Sequence, residues 1–374
     1  MKILFWVPYP KEGASNRYRV EQYLPYLDRN GIQYALHPFW NTAAYKILYK
    51  NRHFLKKAFF FLCGTTSRIL DLIGISHYDI IFIHREAYPI GWAFFETFVS
   101  IIKKPIVFDF DDAIFLPASS SQNNFIEMFK NPGKIVSIIQ KSSHVIAGNK
   151  YLLDFALCHN RSVSIIPTSL DTHRYFPNKK SSSNQIIIGW IGSVTTLDFL
   201  NKIKNVFINL SARFNNIQFK IVGGNFSIEG LDNVISKPWS LEEELGNLRS
   251  FDIGIMPMPD NEWTRGKCGF KAILCMSMGI PCVCSAVGMN NEIIDDGVNG
   301  FLAGNDDDWV EKLSLLINDN ELRKRLGMMA RKTVEEKYSL KVNIPVFIET
   351  LNIVYKNKYN KSAILRNSIE RLNS

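Results

Sequence analysis

The chain has 374 residues, 46% hydrophobic and 21% charged, with 22 Gly and 15 Pro, a composition that excludes the disordered and fibrous classes. At about 150 residues per domain, that length allows two domains and a cleft between them. The formal charge of +9, from 44 Lys+Arg against 35 Asp+Glu, calls for an acidic partner: nucleic acid, an anionic membrane surface or a phosphorylated substrate.

The N-terminus, MKILFWVPYP, reaches Pro8 too soon for the apolar region of a signal peptide. No run of about 18 uninterrupted apolar residues follows, so neither export nor a membrane span is expected, and a cytoplasmic location is. The first half then alternates short β-branched or aromatic runs with helical patterns. KILFWV at 2–7, DIIFIH at 79–84, PIVFDF at 105–110, HVIAG at 144–148 and VSIIP at 163–167 read as buried parallel strands. Helices are expected near 15–29, 42–73, 93–103, 133–142 and 150–158.

After the polar break NKKSSSN at 178–184 the same plan restarts. Strands are expected at 186–192, 217–223, 233–236, 252–257 and 280–284, and helices near 198–214, 241–250, 269–278, 306–318 and 320–335. The plan is α/β: two doubly wound Rossmann-like domains facing across a cleft. The expected division is 1–177, a linker at 178–184, 185–340, and C-terminal helices at 341–374 that return to the first domain.

Six cysteines occur without a Cys-x-x-Cys pair, as in a reducing compartment. Cys282 and Cys284 lie in the apolar run PCVCSAV, where alternate strand positions explain them better than a zinc site, which needs three or four spaced ligands.

In open α/β sheets ligands bind where strands end and helix N-termini offer backbone donors. Residues 265–304 contain such a place: Gly266 and Gly269 allow close backbone approach, Lys267 and Lys271 add charge, and a helix opens there. This reads as a diphosphate cradle, or as an ordinary loop-to-helix junction with solvated lysines.

GFKAILCMSMGIPCV at 269–283 and GMNNEIIDDGVNGFL at 288–302 resemble the C-terminal signature of glycosyltransferase family 4. SHVIAGNKYL at 143–152, SIIPTSLDTHRYFP at 164–177 and FDIGIMPMPDNEW at 251–263 are also similar to family segments, so the resemblance covers most of 140–340. It implies the GT-B fold and retaining transfer from a nucleotide sugar, without a metal or other cofactor. The acceptor would be a glycan or lipid-linked hydroxyl, in surface polysaccharide or glycolipid assembly. The family's two glutamates, eight positions apart, fall here on Gly266 and Leu274, and Leu274 has no acceptor for a ribose hydroxyl. The family's Arg and Lys after the first strand of this domain are replaced by neutral residues in IGSVTTLDFL at 191–200. This marks a divergent branch, in which phosphate neutralisation transfers to Lys267 and Lys271, assigned as catalytic.

Donor binding is assigned to Gly192, Ser193, Trp239, Ser240, Gly266, Lys267, Gly269, Phe270 and Lys271. Trp239 and Ser240 would flank the base, Trp239 having core packing as its alternative. In the first domain KEGASNRYRV at 11–20 supplies Gly13, a helix cap at Ser15, and Arg17 and Arg19, which would assist from across the cleft. It is not GxGxxG, which disfavours a nicotinamide enzyme.

FDFDDAIF at 108–115 places Asp109, Asp111 and Asp112 at a strand end, where three carboxylates are costly without a use. Acceptor binding by Asp109 and Asp112 and base-like assistance by Asp111 are one reading. The other is the Asp-x-Asp metal motif of the GT-A fold, for which the duplicated architecture is wrong. His84, Arg85 and Glu86 follow another strand and line the same cleft or form structural ion pairs.

Residues 45–62 interleave Lys46, Lys50, Arg52, Lys56 and Lys57 with apolar residues and no acid. They read as a peripheral helix on an anionic membrane, at its inner face, or as a helix packed on the sheet with its basic side solvated. Two further classes stay open: a degenerate scaffold that binds a nucleotide or anionic glycan without turnover, and a nucleic-acid binder, which nothing besides charge and 45–62 requires and which is not expected.

Overall fold

The computed structural model describes residues 1–48, 50, 52–116, 131–177 and 184–372, with backbone alone at 132 and 359–372. It divides into two units, 1–169 with 343–374, and 170–342. Six of the seven residues of the expected linker, 178–183, lie outside the described residues.

The first unit is built on strands β1 (Lys2–Val7), β2 (Gln33–Pro38), β3 (Ile80–His84), β4 (Ile106–Phe110), β5 (His144–Ala147) and β6 (Val163–Ile165). They form one parallel sheet in the order β2-β1-β3-β4-β5-β6. Ile3 to Val7 and Ile80 to Ile83 are wholly buried, as continuous apolar runs in a sheet covered on both faces must be. Each such side chain contributes about 1.5–3 kcal/mol of burial.

Helices α1 (Ala14–Arg19) and α2 (Leu24–Arg29) connect β1 to β2, and α3 (Thr42–Leu48) and α4 (Phe54–Gly74) connect β2 to β3. Helices α5 (Phe94–Ile101), α6 (Pro132–Lys141) and α7 (Lys150–Leu157) accompany the later strands. The helix expected across 42–73 is broken: Arg52 and His53 are left-handed, at φ 74° and 67°, and α4 starts anew after them.

The second unit repeats the plan with β7 (Ile186–Ile191), β8 (Ile217–Val222), β9 (Val234–Lys237), β10 (Ile253–Met256), β11 (Cys282–Ser285) and β12 (Gly300–Ala303), in the order β12-β11-β10-β7-β8-β9. Its helices are α8 (Val194–Leu197), α9 (Lys204–Arg213), α10 (Glu244–Arg249), α11 (Glu262–Arg265), α12 (Phe270–Ser277), α13 (Asn290–Ile293), α14 (Asp306–Asn318) and α15 (Asn320–Thr333). Trp190, Phe207, Phe219 and Leu313 centre its core. The doubly wound plan expected for both halves is therefore present. Cys282 and Cys284 are buried strand residues, and all six cysteines are free thiols.

Residues 170–177, expected in the first domain, pack within the second unit. Leu170 bridges Ser339, the Tyr175 hydroxyl donates to Glu244 at 2.6 Å, and Arg331 donates to the carbonyl of Thr172 at 2.8 Å. The final helix, α16 (Leu340–Leu372), belongs to the first unit from Asn343 onward. There the Phe347 ring lies 4.6 Å from Tyr23 and 5.6 Å from Phe82.

Helix α4 reverses the usual amphipathic order. Its inner side carries the buried pair Arg68 and Asp71, joined at 3.3 Å. Asp71 also accepts from the Trp6 indole at 2.7 Å, and Arg68 donates to the carbonyls of Ala87 at 2.9 Å and Val7 at 3.1 Å. Burial pulls the Arg68 guanidinium down to about 10 against the opposing pull of Asp71. Phe54–His77 is, by length and composition, apolar enough to cross a membrane, although Lys56, Lys57, Arg68 and Asp71 interrupt its apolar run.

Removing one member of a buried ion pair leaves the other uncompensated. Asp71→Ala should therefore cost about 3–5 kcal/mol, read as a lowered urea midpoint with an unchanged slope.

Candidate functional site

Each sheet reverses its winding at one point, between β1 and β3 in the first and between β7 and β10 in the second. Crevices at strand ends beside such points are where doubly wound folds bind ligands. The polar residues singled out in the sequence gather at both.

In the first unit the centre is Asp109, 1% exposed near the end of β4. Arg19 grips both its oxygens, one through Nε at 3.2 Å, and His84 Nδ1 lies 2.6 Å from Oδ2. Burial alone would raise this carboxyl, but Arg19 and the His84 hydrogen bond hold it below the usual carboxylate range. The same pairing raises Arg19. Its remaining Nη1 donates to the carbonyl of Ile166 at 2.6 Å. Arg19 is thus committed within its own unit, which corrects its assignment as a phosphate partner.

His84 continues the chain outward. Its Nε2 lies 2.6 Å from Ser15 Oγ, and Ser15 Oγ donates to Asp111 Oδ2 at 2.7 Å. Ser15 is not the helix cap expected: the cap position is Gly13, without a side-chain bond, because the Ser15 hydroxyl is spent on His84 and Asp111. Arg19 and Arg85 are the arginines that face Asp109, Asp111 and Asp112 along this chain.

Arg85 donates through Nε to Asp111 at 2.8 Å and through Nη2 to Asp112. Against the pull of burial, the Arg85 charge holds Asp111 far below its ordinary value. Arg85 sits at φ 63°, costly for a bulky side chain by about 1–3 kcal/mol, and its N–H donates to the Asp109 carbonyl at 2.7 Å. A carboxylate so held is a poor proton acceptor, so Asp111 fits a fixed negative acceptor better than a base.

The remaining first-unit residues stand apart from this chain. Glu86 pairs with the buried Lys134 at 2.9 Å, its structural reading. Arg17 donates to the carbonyl of Lys11 at 3.2 Å and lies over the Tyr18 ring.

In the second unit β7 ends at Ile191 and Gly192 follows it. Lys271, on the first turn of α12, donates to Thr196 Oγ1 at 2.8 Å and lies 5.0 Å over the Trp190 ring. A Cβ on Gly192 would stand 2.6 Å from both Lys271 Cε and Trp190 Cζ2, so a side chain there would displace the lysine from the ring. Ser193 Oγ is 2.8 Å from Thr195 Oγ1 in the same turn. Gly269 opens α12 at φ 63° with no side-chain cap, followed by Phe270, and the N–H groups of Ala272 and Ile273 donate to the Gly269 carbonyl at 3.0 and 3.3 Å.

Lys267 stands over the Trp263 ring at 5.4 Å, and Gly266 closes α11 in ordinary helical geometry. Leu274 is buried among its neighbours. The Trp239 indole donates to Glu244 Oε2 at 2.9 Å, and Ser240 Oγ accepts from the Glu243 N–H at 3.3 Å. Trp239 is half-buried, its N–H spent on Glu244. Glu244 and Trp190 were not picked out in the sequence, because a glutamate in an acidic helix start and a tryptophan in a strand carry no local mark. Among the described residues no group of three His, Cys, Asp or Glu is placed to hold a metal ion.

Residues 185–319 match the family model described as Glycosyl transferases group 1. An uncharacterized glycosyltransferase of Methanocaldococcus jannaschii is 31% identical over 119 residues, 29% of this chain. The match spans 33% of that relative's length. Sucrose-phosphate synthase from Thermosynechococcus elongatus superposes with a TM-score of 0.69 at 14% identity, over 96% of this chain and 100% of the other. Anabaena HepE in complex with UDP-glucose does so with a TM-score of 0.64 at 16% identity, over 94% and 99%. The fold is therefore GT-B.

Asp109 and Asp111 are both depressed in the folded state, so their contribution is complete above the unfolded carboxylate value of about 4 and is lost as pH falls towards their folded values. Melting temperature should fall steeply on acidification below that value, and Asp111→Asn should flatten this limb when melting is followed across the acid range.

Proposed function

We propose that the protein is a retaining glycosyltransferase, a divergent member of glycosyltransferase family 4. It would transfer a sugar from a nucleotide donor held by the second unit to a hydroxyl of a glycan or lipid-linked acceptor, in surface polysaccharide or glycolipid assembly. The observation that carries this reading is Lys271, aimed by Thr196, Trp190 and the absence of a side chain at Gly192 into the winding reversal of the second sheet. A departing nucleoside diphosphate gains negative charge as the glycosidic bond breaks. A fixed ammonium and neutral hydroxyls at Ser193 and Thr195 are suited to receive it. Lys267 adds a second charge at the same helix start.

Among the described residues the donor set contains no carboxylate cluster, and in this reading Lys271 and Lys267 serve where a metal otherwise would. Where the family places a glutamate on the ribose, the buried Leu274 offers no acceptor, so ribose recognition falls to backbone groups. In the first unit Asp111 and Arg85, at the outer end of this hydrogen-bonded chain, are the groups offered to an acceptor. The UDP-glucose bound by the structurally similar HepE supports a nucleotide-sugar donor. The enzyme would work at the cytosolic face of a membrane.

Leu274 also favours a second reading, a scaffold that binds the nucleotide without turnover. Donor hydrolysis in the absence of acceptor separates the two.

A thermal-shift screen against UDP, GDP, ADP and CMP and their sugars should give stabilisation by one nucleotide that survives EDTA. Lys271→Ala should lower turnover by about 100-fold or more with melting unchanged, and Gly192→Ala should weaken nucleotide binding by displacing the lysine. Unaltered turnover in Lys271→Ala would remove it from the site.

A further inference from the structure

Beyond its first turn, the outward side of α4 is apolar. Leu55 is 89% exposed and Ile73 76%, with Phe59, Leu62 and Ile69 exposed between them. From Ala58 to Ile73 the exposed positions carry no charge, only Thr66 being polar. At 1.5 Å per residue this 21-residue helix is roughly 30 Å long.

Helix α5 packs beside α4 and continues the surface with exposed Phe94 and Ile101. Trp92, 68% exposed, lies just ahead of α5. An uncharged outer face of this size, on a helix whose charged pair points inward, is far from the usual solvated helix surface.

The end of α4 nearest the preceding turn is basic. Lys46, Lys50, Arg52 and Lys56 are exposed, and no acidic residue occurs from Thr42 to Leu70. Apolar face, flanking cations and an interfacial tryptophan are together the chemistry of a helix lying in the headgroup region of an anionic bilayer.

We infer that the outer faces of α4 and α5 are a docking surface for an anionic lipid bilayer, on which the protein lies without crossing it. The buried bonds of Arg68 and Asp71 to Trp6, Val7 and Ala87 tie α4 to its sheet, and crossing would tear a paired charge from that setting. The basic segment at 45–62, with its solvated cations, is then the rim of the surface, and its apolar centre lies further along α4 and on α5. This names the membrane partner of the proposed transferase and rests on that reading for its purpose alone. Vesicle binding requires no turnover, so either can fail by itself.

The test is flotation of the full chain with vesicles of phosphatidylglycerol and phosphatidylcholine, and of phosphatidylcholine alone. Trp fluorescence is followed alongside. Binding to the anionic vesicles with a blue shift absent in Trp92→Phe is expected, weakened by salt. Leu62→Glu/Ile69→Glu should lower partitioning roughly tenfold or more with melting unchanged, since both side chains are exposed. Lys50→Glu/Lys56→Glu should reduce the preference for anionic lipid. Failure of the unsubstituted chain to float with either vesicle would overturn the inference. So would undiminished binding by Leu62→Glu/Ile69→Glu, or a vesicle-inert dimer that this variant converts to monomer, which would mark a contact between copies. Extraction from vesicles only by detergent, not by salt or alkaline carbonate, would overturn it in favour of a spanning helix.

Discussion

A carboxylate buried at the end of a parallel strand keeps its charge only if its surroundings return what burial takes away, and Asp109 is built on that condition. Arg19 and His84 approach it from β1's following helix and from the end of β3. The loops after three strands are thereby fixed to one atom pair. Arg85, held in a left-handed conformation with its N–H on the Asp109 carbonyl, and Ser15, held between His84 and Asp111, extend the order outward. The polar end of the first unit is thus a single chain of hydrogen-bonded side chains. Its outermost members are the ones left for chemistry.

The second unit meets the same need for a positioned charge by other means. A threonine hydroxyl and an aromatic face direct Lys271, where the first unit directs its arginines with carboxylates.

Much of this was legible in the sequence. The central strands of both sheets read directly as apolar runs because both their faces are covered. The strands not foreseen, β2 and β12, are sheet edges. QYALHP in β2 is only partly buried and carries no such run, and GFLA in β12 is four residues long. The loops of the site were found from strand ends and glycines, yet their pairings were not. Arg19 meets Asp109 across 90 positions, and nothing local shows that the arginine is consumed by it. Ser15 likewise reads as a cap until His84 and Asp111 are seen to claim its hydroxyl.

The distribution of thiols has a practical side. A hydrogen bond with Cys282, together with burial, pushes the Cys275 thiol well up. Against the lowering effect of that bond, the hydrogen bond with Cys284 and burial push Cys282 well up. Cys268 and Cys284 are buried with them, whereas Cys63 and Cys158 are exposed. Alkylating reagents therefore discriminate without engineering. Removing Cys158 alone would leave one reactive sulfur, on the outer face of α4, where a fluorophore or spin label would report the polarity around that helix while the second unit's interior stays unmodified.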